Sequence, residues 1–280
     1  MLVVAGCMAA PLVGALPSAP PPLPAAADRR EAERLKRAGV AALAAARRGE
    51  ADPDAAAALI EAAAQRGDPD AQLLVALGRL SDAGDRRDVA AALPWLHRAA
   101  QQGQPEAQYR LAQLLEGGDG VRRDIPWAAV WFGRAAERGH PQAQFALALL
   151  RILGEGIAAD PADALARLRF AERRGVAPAR RYREALERRV PRAAANAAEA
   201  RLRRETSRGP VHEPDRPLLR FVQSGLARQG DWPGRVDGED GEAVRAALMT
   251  FARRERLGAA DDPFAPAVLD RLRDRWPAGA

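Results

Sequence analysis

A chain of 280 residues has room for two domains, or for one array with a small appendage. Hydrophobic residues make up 48%, much of that alanine, and aromatics only 5%; alanine is the best helix former and lets helices approach closely, so the expected class is all-α. The lone cysteine, Cys7, excludes an intrachain disulfide and a cysteine-based metal cluster. A net charge of +6 and a pI of about 10.6 would suit a nucleic acid or another polyanion. Acids are interleaved with the arginines, however, and Lys36 is the one lysine among 43 basic residues. Such arginine dominance reads as a coding bias, and no nucleic-acid partner is expected.

Residues 1–27 read as an export leader: an apolar run from Leu2 to Leu16, then a Pro/Ala stretch ending in Ala25-Ala26-Ala27. Interrupted by Gly6, Pro11 and Gly14, the run is too short for a membrane span, which needs about 20 residues. It fits the apolar region of a signal peptide with a small-residue cleavage site near Ala19 or Ala27, although no Lys or Arg precedes it. Val4-Ala5-Gly6-Cys7 resembles a bacterial lipobox, which makes Cys7 a candidate lipidation site. Either that match is accidental or the start of translation lies upstream. A lipid there is the one membrane attachment expected, with the periplasm or cell envelope as location.

From Asp28 to Gly49 the apolar stripe Ala32, Leu35, Val40, Leu43 and Ala46 predicts an amphipathic helix. It makes 28–51 an N-terminal capping segment, set ahead of a tandem repeat. Gly67-Asp68-Pro69 recurs as Gly103-Gln104-Pro105 and Gly139-His140-Pro141, and weakly at Gly175, each 36 residues after the last. Asp52, Asp88, Asp124 and Asp160 keep the same register, as do Gln72, Gln108 and Gln144, and Trp95 and Trp131. A period of this size is the mark of a solenoid, whose units bury their apolar faces only by stacking on each other.

The unit 104–139 shows the punctuation. Gln104 stands at a helix N-cap and Pro105 at the first helical position, where its missing N–H costs nothing. A first helix, A, runs to about Leu115, and Asp124 caps a second, B, with Ala128, Trp131, Phe132 and Ala135 on one face. Gly139 ends it. Each unit is an αα-hairpin.

Ala107-Gln108-Tyr109-Arg110-Leu111-Ala112, Gly118-Asp119-Gly120-Val121 and Trp131-Phe132-Gly133-Arg134-Ala135-Ala136 together resemble the Sel1-like repeat, a relative of the tetratricopeptide repeat. The next unit keeps Gly154-Glu155-Gly156-Ile157 but has Arg167 in the tryptophan column. The resemblance covers 52–189 and implies a right-handed αα-hairpin solenoid that acts as a scaffold or adaptor for a protein partner, with helix A lining the concave groove. Gln72, Gln108, Gln144 and Arg110 are then candidate groove residues; equally, the glutamines could bond neighbouring helix ends.

Residues 190–217 read as a helical and then extended linker, and 218–276 as a small three-helix domain: Leu218 to Gln229, Glu242 to Arg256 and Pro266 to Arg275. Gln223, Leu226, Gly230, Trp232, Gly234, Asp237-Gly238, Gly241, Ala247 and Phe251 resemble the peptidoglycan-binding domain-1 family. Departures include Asp240 where that family has an aromatic. The resemblance implies peptidoglycan as a ligand, with Trp232, Arg235, Asp237 and Asp240 as candidate contacts. Trp232 lies in a turn, where it can stack on a sugar ring or pack in the core. His97, His140 and His212 are scattered, and Ser18, Ser81, Ser207 and Ser224 lie in no nucleophile motif. Neither catalysis, a cofactor nor a metal is expected.

Overall fold

The computed structural model describes residues 25–81, 88–205, 214–257 and 262–276. Cys7 and most of the expected leader, residues 82–87, His212 and most of the expected extended segment before Asp215 lie outside them. The described residues form thirteen helices and no strand. None of these helices is long and apolar enough to cross a membrane.

The first eight helices make four hairpins: α1 (Ala26–Ala46) with α2 (Pro53–Gln65), α3 (Pro69–Ser81) with α4 (Val89–Gln101), α5 (Pro105–Gly117) with α6 (Ile125–Glu137), and α7 (Pro141–Leu153) with α8 (Pro161–Arg173). The second helix of each packs on the first helix of the next. The helix expected as a cap, α1, thus serves as the first half of a hairpin with α2. Lys36 ties it onward, reaching Asp68 at 3.1 Å and Asp70 at 3.0 Å at the start of α3.

Side-chain caps start seven of these eight helices, α1 being the exception. Asp52, Asp88, Asp124 and Asp160 accept from the free N–H groups of Asp54, Ala91, Trp127 and Asp163 at 2.8–3.0 Å. Asp68, Gln104 and His140 do the same for α3, α5 and α7. Each such cap stabilises its helix by about 1 kcal/mol. Gly120 and Gly156 have positive φ and lie against the start of the preceding hairpin's second helix. A Cβ on Gly120 would sit 2.6 Å from Val89 Cβ, and one on Gly156 2.6 Å from the Ile125 carbonyl oxygen. Both demands select glycine.

Alanines and leucines fill the space between hairpins, with Trp131 and Phe132 as the largest apolar groups in that core. Trp131 is 2% exposed, meets the His97 ring edge-on at 5.9 Å, and carries the Arg134 guanidinium 4.5 Å over its face. Trp95, expected as core by its column, is partly buried against the same cluster with Arg98 over its ring.

The array closes with the short α9 (Ala179–Glu187) and with α10 (Arg192–Arg204), both laid on α8. Half of the expected linker is therefore packed helix. The chain then returns: α11 (Arg216–Arg228) lies on α6 and also supports α12 (Glu242–Arg254) and α13 (Pro266–Asp274). The three C-terminal helices fall close to their expected bounds, but they share a core with the array. Val130 of α6 is buried among Leu218, Phe221, Val222 and Leu226, and Trp127 meets Phe221 edge-on at 5.8 Å. Trp127 and Val130 project from a face of α6 beside the one turned to its own hairpin. Covered on both, α6 is buried from Ala128 to Glu137, as α11 is from Pro217 to Leu226. A helix with apolar residues around most of its circumference belongs inside a fold.

Candidate functional site

The glutamine column faces inward. Gln72, Gln108 and Gln144 are buried, and their Nε2 groups donate to the carbonyls of Ala64, Ala100 and Ala136 at 3.1, 2.9 and 2.8 Å. These acceptors lie at the ends of the preceding helices, where carbonyls lack an intrahelical partner. Of the two readings open from sequence, the geometry matches bonding of helix ends; the expectation of a polar row offered to a partner is corrected. The cause is position: each glutamine follows the buried alanine of its helix's first turn and so points at the joint between hairpins. Arg110 does face solvent, paired with Glu106 at 2.7 Å. Glu106 also accepts from, or pairs with, His140 Nε2 at 2.8 Å, which links successive hairpins on this side. His140 and Gln113 complete a small polar surface around Tyr109, whose ring stacks on His140 at 4.6 Å.

In the C-terminal unit, Gln223 organises the turn-rich loop between α11 and α12. From within α11 its Nε2 donates to Asp237 Oδ1 at 3.0 Å and to the Glu239 carbonyl at 3.2 Å, while its Oε1 accepts from Gly238 N at 2.8 Å. Gly238 has positive φ, and a Cβ there would collide with Arg216. Of the residues behind the second resemblance, Gly230, Trp232, Gly234, Asp237, Gly238 and Gly241 lie in this loop, and Leu226, Ala247 and Phe251 lie on the helices that flank it. Asp237 also receives the Glu239 N–H at 3.1 Å, which makes it a turn former. Asp240 is paired with Arg245 through Nε at 3.1 Å and through Nη2. Trp232 donates its indole N–H to the Arg235 carbonyl at 3.1 Å, and its ring covers Gly234 and the edge of the α11–α13 core. Arg235 projects to solvent, with no ion-pair partner among the described residues. Two of the four candidate contacts, Asp237 and Asp240, are therefore engaged within the loop, whereas Arg235 and the outer part of Trp232 face outward.

Sequence reasoning missed a buried ionic joint between the array and the C-terminal helices. Arg167, 0% exposed, donates to Asp163 at 2.7 and 3.2 Å, to Gln144 Oε1 at 3.0 Å and to Glu205 at 3.1 Å. Arg151 approaches Asp163 at 3.2 Å from α7, and Arg220 of α11 grips the other side of Glu205. Nearby, Arg134 meets Asp215 at 2.7 Å, and Arg216 lies 3.4 Å from Glu137. Burial pushes the carboxyls of Asp163 and Glu205 up, but the arginines around them outweigh it and hold both below the usual range. Glu137, with a distant partner, goes the other way: burial raises it to about 7, only partly opposed by Arg216 and Arg220. The signal in the sequence was Arg167 itself, standing in a column of tryptophans. The apolar knob is replaced by a charge at the place where Glu205 and α11 arrive.

A cleft of about 400 Å³ opens beside this joint, with Phe170 and Leu202 as its apolar wall and Glu137, Glu199, Glu205 and Arg203 as its polar one. No three His, Cys, Asp or Glu side chains converge as a metal site among the described residues.

Comparison with known proteins agrees with the hairpin punctuation. The Sel1 repeat model matches four times, at residues 42–68, 69–104, 105–140 and 141–166. The first match begins inside α1, consistent with its pairing to α2. Among solved structures, a Sel1 repeat protein from Oxalobacter formigenes is 30% identical over 45% of this chain and 94% of its own, with a TM-score of 0.42. A protective antigen present in uropathogenic Escherichia coli strains, with an SLR fold, is 20% identical over 78% of this chain, at a TM-score of 0.41. The chain spans 56% of that antigen's length. No curated protein matches. Through its four in-register hairpins, the chain is a Sel1-like repeat protein.

Proposed function

We propose that this protein is an exported, non-catalytic adaptor of a bacterial cell envelope, which binds a protein partner through its repeat array and peptidoglycan through its C-terminal unit. The observation that carries the adaptor reading is the set of four Sel1 repeats, a fold that serves protein–protein interaction. The apolar stretch Leu2–Leu16 and the lipobox-like Val4-Ala5-Gly6-Cys7 support export. For peptidoglycan the support is the loop held by Gln223, which presents Arg235 and one edge of Trp232 together at the surface. An aromatic edge beside a cation suits a glycan strand carrying acidic peptides.

The test uses the full-length protein, because α11 is buried against α6 and an excised C-terminal unit would expose that face. Sedimentation with purified sacculi is expected for the wild type and is expected to fall for the double variant W232A/R235A. No sedimentation of the wild type at low salt would remove the peptidoglycan half. An alkaline phosphatase fusion, active only once outside the cytoplasm, that stays inactive in cells would remove export. A partner-binding adaptor without peptidoglycan affinity would then remain.

A further inference from the structure

The positive charge of this chain is concentrated at one end of the array. Residues 173–204 carry eleven arginines and three glutamates, a net of +8, which exceeds the +6 of the whole chain. The remainder is therefore slightly acidic, and the interleaving of signs expected from the sequence fails over these two closing helices. Four of the arginines are neutralised: Arg173 by Glu199, Arg180 by Glu184, Arg183 by Glu172 and Glu187, and Arg201 by Asp160. Arg174 lies over the Phe170 ring. Arg181, Arg188, Arg189, Arg192, Arg203 and Arg204 are exposed, and none forms an ion pair among the described residues.

Five of these six share a placement. Arg181 and Arg188 are seven residues apart and so lie on one side of α9 and its end, while Arg188, Arg189 and Arg192 surround the turn into α10. Ala195, Ala198 and Leu202 face α8, which leaves Arg192 and Arg204 on the outer side of α10 with Asn196 and small alanines between them, while Arg203 borders the cleft beside Glu199 and Glu205. A terminal element of a solenoid needs a polar outer face for solubility, and mixed charges would supply one. Glu184 lies between Arg181 and Arg188, but the arginines outnumber it, and an excess of one sign creates a field that steers an oppositely charged partner.

We propose that the outer face of α9 and α10 is a docking surface for an acidic segment of a partner protein. The proposal rests on the adaptor reading and names the chemistry of the partner. A lipid surface fits less well, because α10 exposes no large apolar side chain for insertion and the one on α9, Tyr182, is 38% exposed but held edge-on against Phe145. Duplex DNA would meet these arginines chiefly through its phosphates.

Fluorescence anisotropy with a labelled oligo-glutamate peptide and the full-length protein tests this. The variant R181E/R188E/R189E/R192E is expected to bind at least about tenfold more weakly than wild type, with a smaller salt dependence. The control R30E/R47E/R79E/R253E changes net charge by the same amount at dispersed exposed sites and is expected to stay within about twofold. Circular dichroism checks that both variants fold. Equal losses in both would overturn the proposal, since net charge alone would explain them. Tighter binding of duplex DNA or of phosphatidylglycerol vesicles than of the peptide would also overturn it. Absence of peptide binding overturns this face as the acidic site but leaves the adaptor reading standing if the helix-A side still cross-links to a protein; loss of both removes the adaptor itself.

Discussion

Replacing Arg167 with methionine keeps most of the buried stem and removes the charge. The lost interactions are two bonds to Asp163, at 2.7 and 3.2 Å, one to Gln144 at 3.0 Å and one to Glu205 at 3.1 Å. Removing one partner from a buried ion pair costs about 3–5 kcal/mol, because the other charge stays buried. Here Asp163 keeps Arg151 at 3.2 Å and Glu205 keeps Arg220, so the lower end applies, about 3 kcal/mol. For a chain of this size that is a fall in Tm of roughly 6–12 °C. Urea unfolding followed by circular dichroism measures it. Adding E205Q to R167M should cost about 1–2 kcal/mol less than the sum of the two single changes, since both remove the same contact. A loss below about 1 kcal/mol for R167M, or strict additivity in the cycle, would refute the claim that this ion cluster holds the joint.

Other residues make separate tests. Glu137 has a folded value near 7, above its unfolded 4.5, so its contribution is whole below 4.5 and is lost as pH rises through about 7. The stability of wild type relative to E137Q should therefore fall by about 2–3 kcal/mol between mildly acidic and mildly alkaline pH, and a flat difference would contradict the burial argument. His97 runs the opposite way: burial and then Arg134 lower it to about 4, so its contribution is present above 6.5 and lost as pH falls toward 4, which H97Q should abolish. Gln108→Leu removes one of the two donors to the Ala100 carbonyl, which keeps the Gly103 N–H at 3.0 Å, and should cost about 0.5–1.5 kcal/mol in urea unfolding; an unchanged midpoint would show that this bond does not hold the joint. Trp131→Ala opens a cavity in the centre of the array and should cost about 3–5 kcal/mol.

The hairpins were legible because each boundary is written locally. A capping Asp at 52, 88, 124 and 160 and a closing Gly at 67, 103, 139 and 175 act within one turn of the residues they punctuate, and the structure places both sets at helix ends. The three C-terminal helices were legible from apolar residues at helical spacing, such as Leu219, Val222 and Leu226, then Val244, Leu248 and Phe251. What the sequence concealed was long-range. That α11 comes to rest on α6 depends on Trp127 and Val130, which add a second apolar face to a helix whose first face already satisfied the repeat pattern. The ionic joint brings together Asp163, Arg167, Glu205 and Arg220, positions separated by up to 57 residues, and no periodicity links them. The glutamine column was visible as a column, but its direction was not. Only the stacking of hairpins shows that Gln72, Gln108 and Gln144 point at carbonyls.

The central claim is that the array is a protein-binding surface. A photo-reactive amino acid placed at Arg110 on the helix-A side, at Arg192 on the arginine-rich end and at Arg253 on α12 tests it in living cells. Cross-linking from Arg110 or Arg192 to a protein of discrete mass, with none from Arg253, is the predicted result. Adducts from all three sites alike, or from Arg253 alone, would contradict it.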